Sequence, residues 1–144
     1  MRECIIAVVL MLSIVFAASL HAENASISSF VGLWNVHVAK TLEEGKKSPK
    51  YVESDAKKMA EFIKRQFAIM KLKLFETEMT YIRNGKERAF PFTVKETGPN
   101  TVTLLVKMGK NEATVVLSMR EGTLLNFTSS LTDDMNFYIW EKSE

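Results

Sequence analysis

From Leu72 to its end the chain alternates apolar with polar residues. Only short turn sequences interrupt the pattern: Asn84-Gly85, Gly98-Pro99, Gly109-Lys110-Asn111, Glu121-Gly122, and then residues 130–134. Period-two patterning marks strands with one face against a core, and connections this short force neighbouring strands to run antiparallel. Following parity through the turns tightens the constraint, because residues paired across a hairpin share a face. A hairpin at Asn84-Gly85 pairs Arg83 with Lys86, Tyr81 with Arg88 and Met79 with Phe90. One centred on Gly98 pairs Phe92 with Leu104 and Phe90 with Val106; one centred on Lys110-Asn111 pairs Val106 with Val115 and Leu104 with Leu117. Centring the next on Glu121 adds Leu125 and Phe127, and the last turn adds Met135, Phe137 and Ile139. One apolar face runs through the meander without conflict, and a one-residue slip anywhere inverts it. The expected class is mainly β: an antiparallel up-and-down meander forming a small barrel or strongly curved sheet. Its strands are expected at about 72–76, 78–83, 87–95, 101–108, 112–119, 123–129 and 135–142.

Upstream, Phe30, Gly32, Trp34, Val36 and Val38 share one parity, with Asn35 and His37 on the other, which predicts a first strand. Gly32 suits a place where the backbone comes close to something large. Thr41 with Glu44 three residues on is a capping-box pattern, predicting a short helix to about Lys47, where Ser48-Pro49 breaks it. Ser54 or Asp55 can cap a second helix over about 55–71. Along it Ala56, Met59, Ala60, Ile63, Phe67 and Met70 recur at helical spacing, with Lys57, Lys58, Glu61, Lys64 and Arg65 between them.

Residues 1–22 have the layout of a cleavable secretory signal peptide: Arg2, an apolar run over 5–18, and Ala22 before polar Glu23-Asn24. The run is shorter than the ~20 residues a bilayer core asks for. Residues 23–29 read as a short polar leader to the domain. The chain is expected to be secreted or periplasmic, with no transmembrane segment once the leader is removed. Its single cysteine, Cys4, leaves with the leader. No disulfide framework, thiol nucleophile or thiolate metal site is then expected. A formal net charge of +2 is too mild to point to nucleic acid.

The stretch "FVGLW", with Phe30, Gly32 and Trp34, resembles the Phe-x-Gly-x-Trp signature of the calycin barrels, the lipocalins and fatty-acid-binding proteins. The element order is similar too: one strand, two short helices, then an antiparallel meander. The resemblance implies a lipocalin-like β-barrel domain over 30–144, with Trp34 plugging one end and the helices capping the other. The sequence departs from the family in three ways. It has eight expected strands where a fatty-acid-binding protein has ten, Tyr138 has no arginine two residues before it, and the lipocalin disulfides are missing.

No Gly-x-Ser-x-Gly, Walker-type loop or His-Glu-x-x-His occurs, and His37 is the sole histidine after the leader. No enzymatic activity, cofactor or metal is expected. Two candidate surfaces remain. Arg83, Lys86 and Arg88 share the expected inner face with Tyr81, Phe90 and Phe92, grading from a wet turn to an apolar wall. Arg88 is expected to lie deepest of the three cations. This arrangement suits a small hydrophobic or amphipathic ligand with an anionic head; strand-end cations also reach water readily over a barrel rim. On the outer face Leu105, Val116, Leu124, Tyr138 and Trp140 form an apolar patch of the kind that marks a protein partner, unless the 55–71 helix covers it. The expected function is non-catalytic ligand binding. The alternative is a protein-binding module, such as an inhibitor or immunity-type protein.

Overall fold

The computed structural model describes residues 23–47, 56–67, 69–131 and 136–144. The leader over 1–22, the Ser48-Pro49 break, the Ser54 or Asp55 cap, and Met135 lie outside the described residues.

Eight strands close into one antiparallel barrel in sequence order. They are β1 (Gly32–Val36), β2 (Met70–Leu74), β3 (Glu78–Arg83), β4 (Lys86–Thr97), β5 (Thr101–Met108), β6 (Asn111–Arg120), β7 (Leu124–Ser129) and β8 (Ile139–Lys142). β1 pairs with β8 to complete the ring. Two helices, α1 (Val38–Gly45) and α2 (Ala56–Phe67), lie between β1 and β2. Alternation turns the apolar residues inward. Leu72, Val102, Leu104, Val106, Leu117, Leu125 and Trp140 expose nothing, so they border neither solvent nor a void large enough for water. The interior is a packed core, which an eight-stranded barrel is just wide enough to hold. Outward positions such as Lys71, Lys73, Thr103 and Thr114 are polar, the reverse of a lipid-facing barrel.

The β3–β4 hairpin has the expected pairs, Arg83 with Lys86, Tyr81 with Arg88 and Met79 with Phe90. Its turn residues Asn84 (φ 52°) and Gly85 (φ 71°) are both left-handed, as a type I′ turn requires. Three later hairpins keep the expected face in a different register; in β6–β7 the turn centres on Gly122, so Leu117 opposes Phe127 and not Leu125. The β4–β5 turn centres on Pro99-Asn100, where the Gly98 N–H donates to Thr101 O at 2.8 Å. Phe92 therefore opposes Val106, and Val94 opposes Leu104. That turn alone would put one strand inside out; a bulge between Val94 and Glu96 absorbs the odd residue and restores the face. The β5–β6 turn centres on Gly109-Lys110, so Val106 opposes Ala113 and Leu104 opposes Val115.

β8 corrects the expected parity. Leu125 opposes Trp140, and Asn126 opposes Ile139, so Trp140 and Tyr138 turn inward while Ile139 faces out. A long connection carries no parity rule, and "NFYIW" is apolar at both parities, so no period-two signal existed to read. The Asn126 side chain holds this loop, donating to Asn136 O (3.0 Å) and Tyr138 O (3.1 Å).

The helix starts also differ from the capping-box reading. α1 begins at Val38, and its cap is His37, whose Nδ1 accepts from the Lys40 N–H at 3.3 Å. Thr41 lies within α1, fully buried. Its hydroxyl accepts from the Ile139 N–H (3.0 Å) and donates to Ile139 O (3.2 Å), which ties α1 to the outer wall of β8. α2 ends at Phe67, and Met70 opens β2 instead of closing the helix. Ile63 of α2 joins the core.

Candidate functional site

The β3–β4 hairpin rises at the barrel end where β1 leads into the helices. The β4–β5 ladder begins only at Phe92 and Val106, so residues 86–91 of β4 pair with β3 alone. The Phe92 N–H donates to Thr77 O on the β3 side, at 3.0 Å. In an antiparallel strand the neighbouring residue points its nitrogen the other way, toward β5. That residue is Pro91, which has no hydrogen to continue the ladder. The hairpin tip therefore stands free of β5 and carries its inner-face residues at the mouth of the barrel.

There Met70, Tyr81, Arg83, Asn84, Lys86 and Arg88 line a recess of about 420 Å³. Among the described residues three cations and no carboxylate line it. Arg83, Lys86 and Arg88 are exposed, while Tyr81 is half-buried beneath them. Burial pushes the Tyr81 phenol well above the ordinary tyrosine range, so it is neutral at physiological pH. Below the recess the aromatic rings continue into the core. Tyr81 meets Phe90 (6.1 Å between centroids) and Phe127 (6.2 Å) edge-on, and Phe127 lies 5.8 Å from Trp140. The Trp140 indole N–H is buried and has no hydrogen-bond partner among the described residues.

Four of the six ligand-binding candidates are thus brought together: Tyr81, Arg83, Lys86 and Arg88. Phe90 and Phe92 are not recess-lining residues. Phe92 belongs to the packed core, and Phe90 packs against it from a partly buried position. Arg88 does not lie deep. Its backbone sits opposite Tyr81, but the residue is exposed, like Arg83 and Lys86. Met70 and Asn84 were missed as lining residues. Asn84 was legible from its turn, whereas Met70 was hidden by its helical spacing from Phe67.

Phe30, Gly32 and Trp34 stand at the opposite end. The Trp34 indole donates to Phe30 O at 2.9 Å, and both side chains are buried in the core. Gly32 (φ 146°) lies against Lys142: a Cβ there would come within 2.6 Å of the lysine Cε. The Lys142 ammonium sits 5.7 Å from the Trp34 ring centroid. The motif closes this end of the barrel.

Comparison of the chain with protein-family models, with curated proteins and with solved structures finds no match. The residues themselves must carry the reading.

The outer patch does not survive as a surface. Trp140 is 0 % and Tyr138 4 % exposed inside the barrel, and Leu124, at 7 %, is covered together with Ile139. Leu124 and Ile139 lie beneath α1, not beneath the 55–71 helix; Leu105 and Val116 remain half-buried on the outer wall. A second hollow, about 250 Å³ between α1 and the β6–β7 turn, is lined by Lys40, Glu44, Lys47, Arg120 and Glu121 among others. Its charges are spent on each other: Lys40 to Glu121 at 2.8 Å, Lys47 to Glu44 at 2.8 Å, and Arg120 to Glu44 at 3.5 Å. This network fastens α1 to the wall. Among the described residues no group of three or more His, Cys, Asp or Glu is placed to hold a metal ion, and no helix is long and apolar enough to cross a membrane.

Proposed function

We propose that this protein is a calycin-like barrel that binds a small anionic amphiphile at its mouth, without catalysis and outside the cytoplasm. The observation that carries the proposal is the recess itself. Among the described residues three cations and no carboxylate stand over a floor of Tyr81 and Met70. An anionic head meets Arg83, Lys86 and Arg88 through charge-assisted hydrogen bonds. The first methylenes of its tail lie on the Tyr81 ring and the Met70 thioether. The packed interior supports a shallow binding mode, with the remainder of the tail along the rim. A neutral Tyr81 adds no repulsion to the head. The closed eight-strand barrel, with Trp34 seated against Phe30 at the far end, supports the calycin resemblance; the leader pattern supports export. The outer-face partner alternative loses its aromatic anchors now that Tyr138 and Trp140 lie in the core.

The test is displacement of the fluorescent anion 1-anilinonaphthalene-8-sulfonate by laurate and by dodecanol. Laurate should displace the probe at lower concentration than dodecanol, and less effectively as salt rises. Arg88→Ala should weaken laurate by about 1.5 to 3 kcal/mol, the worth of a hydrogen bond to a charged group, with unchanged folding. Equal displacement by the two ligands, or laurate binding indifferent to Arg88→Ala, would overturn the proposal.

A further inference from the structure

The outer wall of the same rim carries a second feature. β2 turns Met70, Leu72 and Leu74 into the core, so Ile69, Lys71, Lys73 and Phe75 form its outward row. Lys71 opposes Ile82 on β3 and Asn35 on β1, and Lys73 opposes Leu33. Leu33, Ile69, Lys71, Lys73, Ile82, Asn84 and Gly85 enclose a shallow trough of about 490 Å³. At the two ends of the row Ile69 is 44 % and Phe75 42 % exposed. The Lys73 ammonium lies 5.4 Å from the Phe75 ring centroid. No ion pair among the described residues engages Lys71 or Lys73.

Charge is distributed to match. Residues 56–88, which include α2, β2 and β3, hold nine lysines and arginines against four carboxylates, whereas the rest of the chain from residue 23 holds nine against twelve. Asn84 lines both the trough and the recess. At this rim Lys71, Lys73 and apolar side chains lie outside, with the exposed Glu87 opposite Ile82, and Arg83, Lys86 and Arg88 lie inside.

We infer that this rim docks on an anionic lipid surface, with Lys71 and Lys73 among the headgroup phosphates and Ile69 and Ile82 against the upper methylenes. Electrostatic attraction of basic side chains together with buried apolar area is what holds proteins at such interfaces. The inference deepens the proposed function, since it makes the bilayer the source from which the amphiphile enters the recess.

The test is co-sedimentation of the purified protein with large unilamellar vesicles of phosphatidylglycerol or of phosphatidylcholine. The expected result is binding to phosphatidylglycerol that falls away at high salt, with little binding to phosphatidylcholine. The variant Lys71→Gln/Lys73→Gln should bind phosphatidylglycerol about 25-fold more weakly, which is ~1 kcal/mol for each basic residue near an anionic surface. Its laurate binding in solution should be unchanged, because neither lysine lines the recess. Both lysines are solvent-facing, and circular dichroism on the variant checks that the barrel is intact. Equal binding to the two lipids, or an intact variant that binds as the parent does, would overturn the inference. Laurate binding indifferent to Arg88→Ala would overturn the proposed function instead, and leave the docking result to be read on its own.

Discussion

The two tryptophans show how much a single polar atom decides. Both are buried in the same core, and both bring a large apolar body to it. The Trp34 N–H has a partner in Phe30 O, while the Trp140 N–H has none among the described residues. Replacing either by alanine should cost about 3 to 5 kcal/mol, the range for deleting a large buried aromatic. Replacement by phenylalanine separates them. Trp34→Phe removes a donor and leaves a buried carbonyl short of a bond, whereas Trp140→Phe removes an unsatisfied group. Urea unfolding should find Trp34→Phe the more destabilising by ~1 kcal/mol. Equal costs would mean that the Phe30 bond contributes nothing. Gly32 belongs to the same corner. Its φ of 146° favours glycine, and the end of the Lys142 side chain lies over it, which is the close approach that the sequence suggested without naming the partner.

At the scale of elements, α1 is held by apolar packing, one buried bond pair and a fringe of exposed charges, and the last two should differ in weight. Thr41→Val keeps the shape but orphans the Ile139 N–H, whose acceptor is the Thr41 hydroxyl. Ile139 O keeps its bond from the His37 N–H at 2.8 Å. The substitution should cost about 1 to 3 kcal/mol by chemical denaturation. The ion pairs should matter less. The hydrogen bond from Lys47 is the main cause that holds Glu44 below its ordinary pKa of 4.5, and Arg120 adds to it. A carboxyl whose pKa is lowered by folding adds stability above its ordinary pKa and loses it as pH falls through the folded value. The urea midpoint of the parent should therefore exceed that of Glu44→Gln at pH 7, by less than ~1 kcal/mol for pairs this exposed. The gap should close below pH 4.5. A gap that widened in acid would contradict the assignment.

At the scale of the molecule, the sequence carried the barrel because hairpin parity is redundant. Asn84-Gly85 fixed one register, and the apolar face held through three hairpins whose turns lie elsewhere than expected, since the bulge near Lys95, the Gly109-Lys110 turn and the turn centred on Gly122 shift pairs by two residues and preserve faces. Legibility ended where redundancy did. The connection into β8 has no parity rule, so Tyr138 and Trp140 were placed outside. Thr41 looks like a cap until Ile139, distant in sequence, claims its hydroxyl. The recess was legible as to which residues share a face, but the depth of Arg88 was not, because backbone register does not set where a long side chain ends. The central claim is that an anionic amphiphile binds at the mouth and not in the interior. Amide and methyl chemical shifts recorded during a laurate titration test it most directly. The account predicts saturable shifts concentrated at Met70, Tyr81, Arg83, Lys86 and Arg88, with Leu104, Leu117 and Leu125 unmoved. Shifts centred on those interior leucines, or none at the hairpin tip, would contradict it.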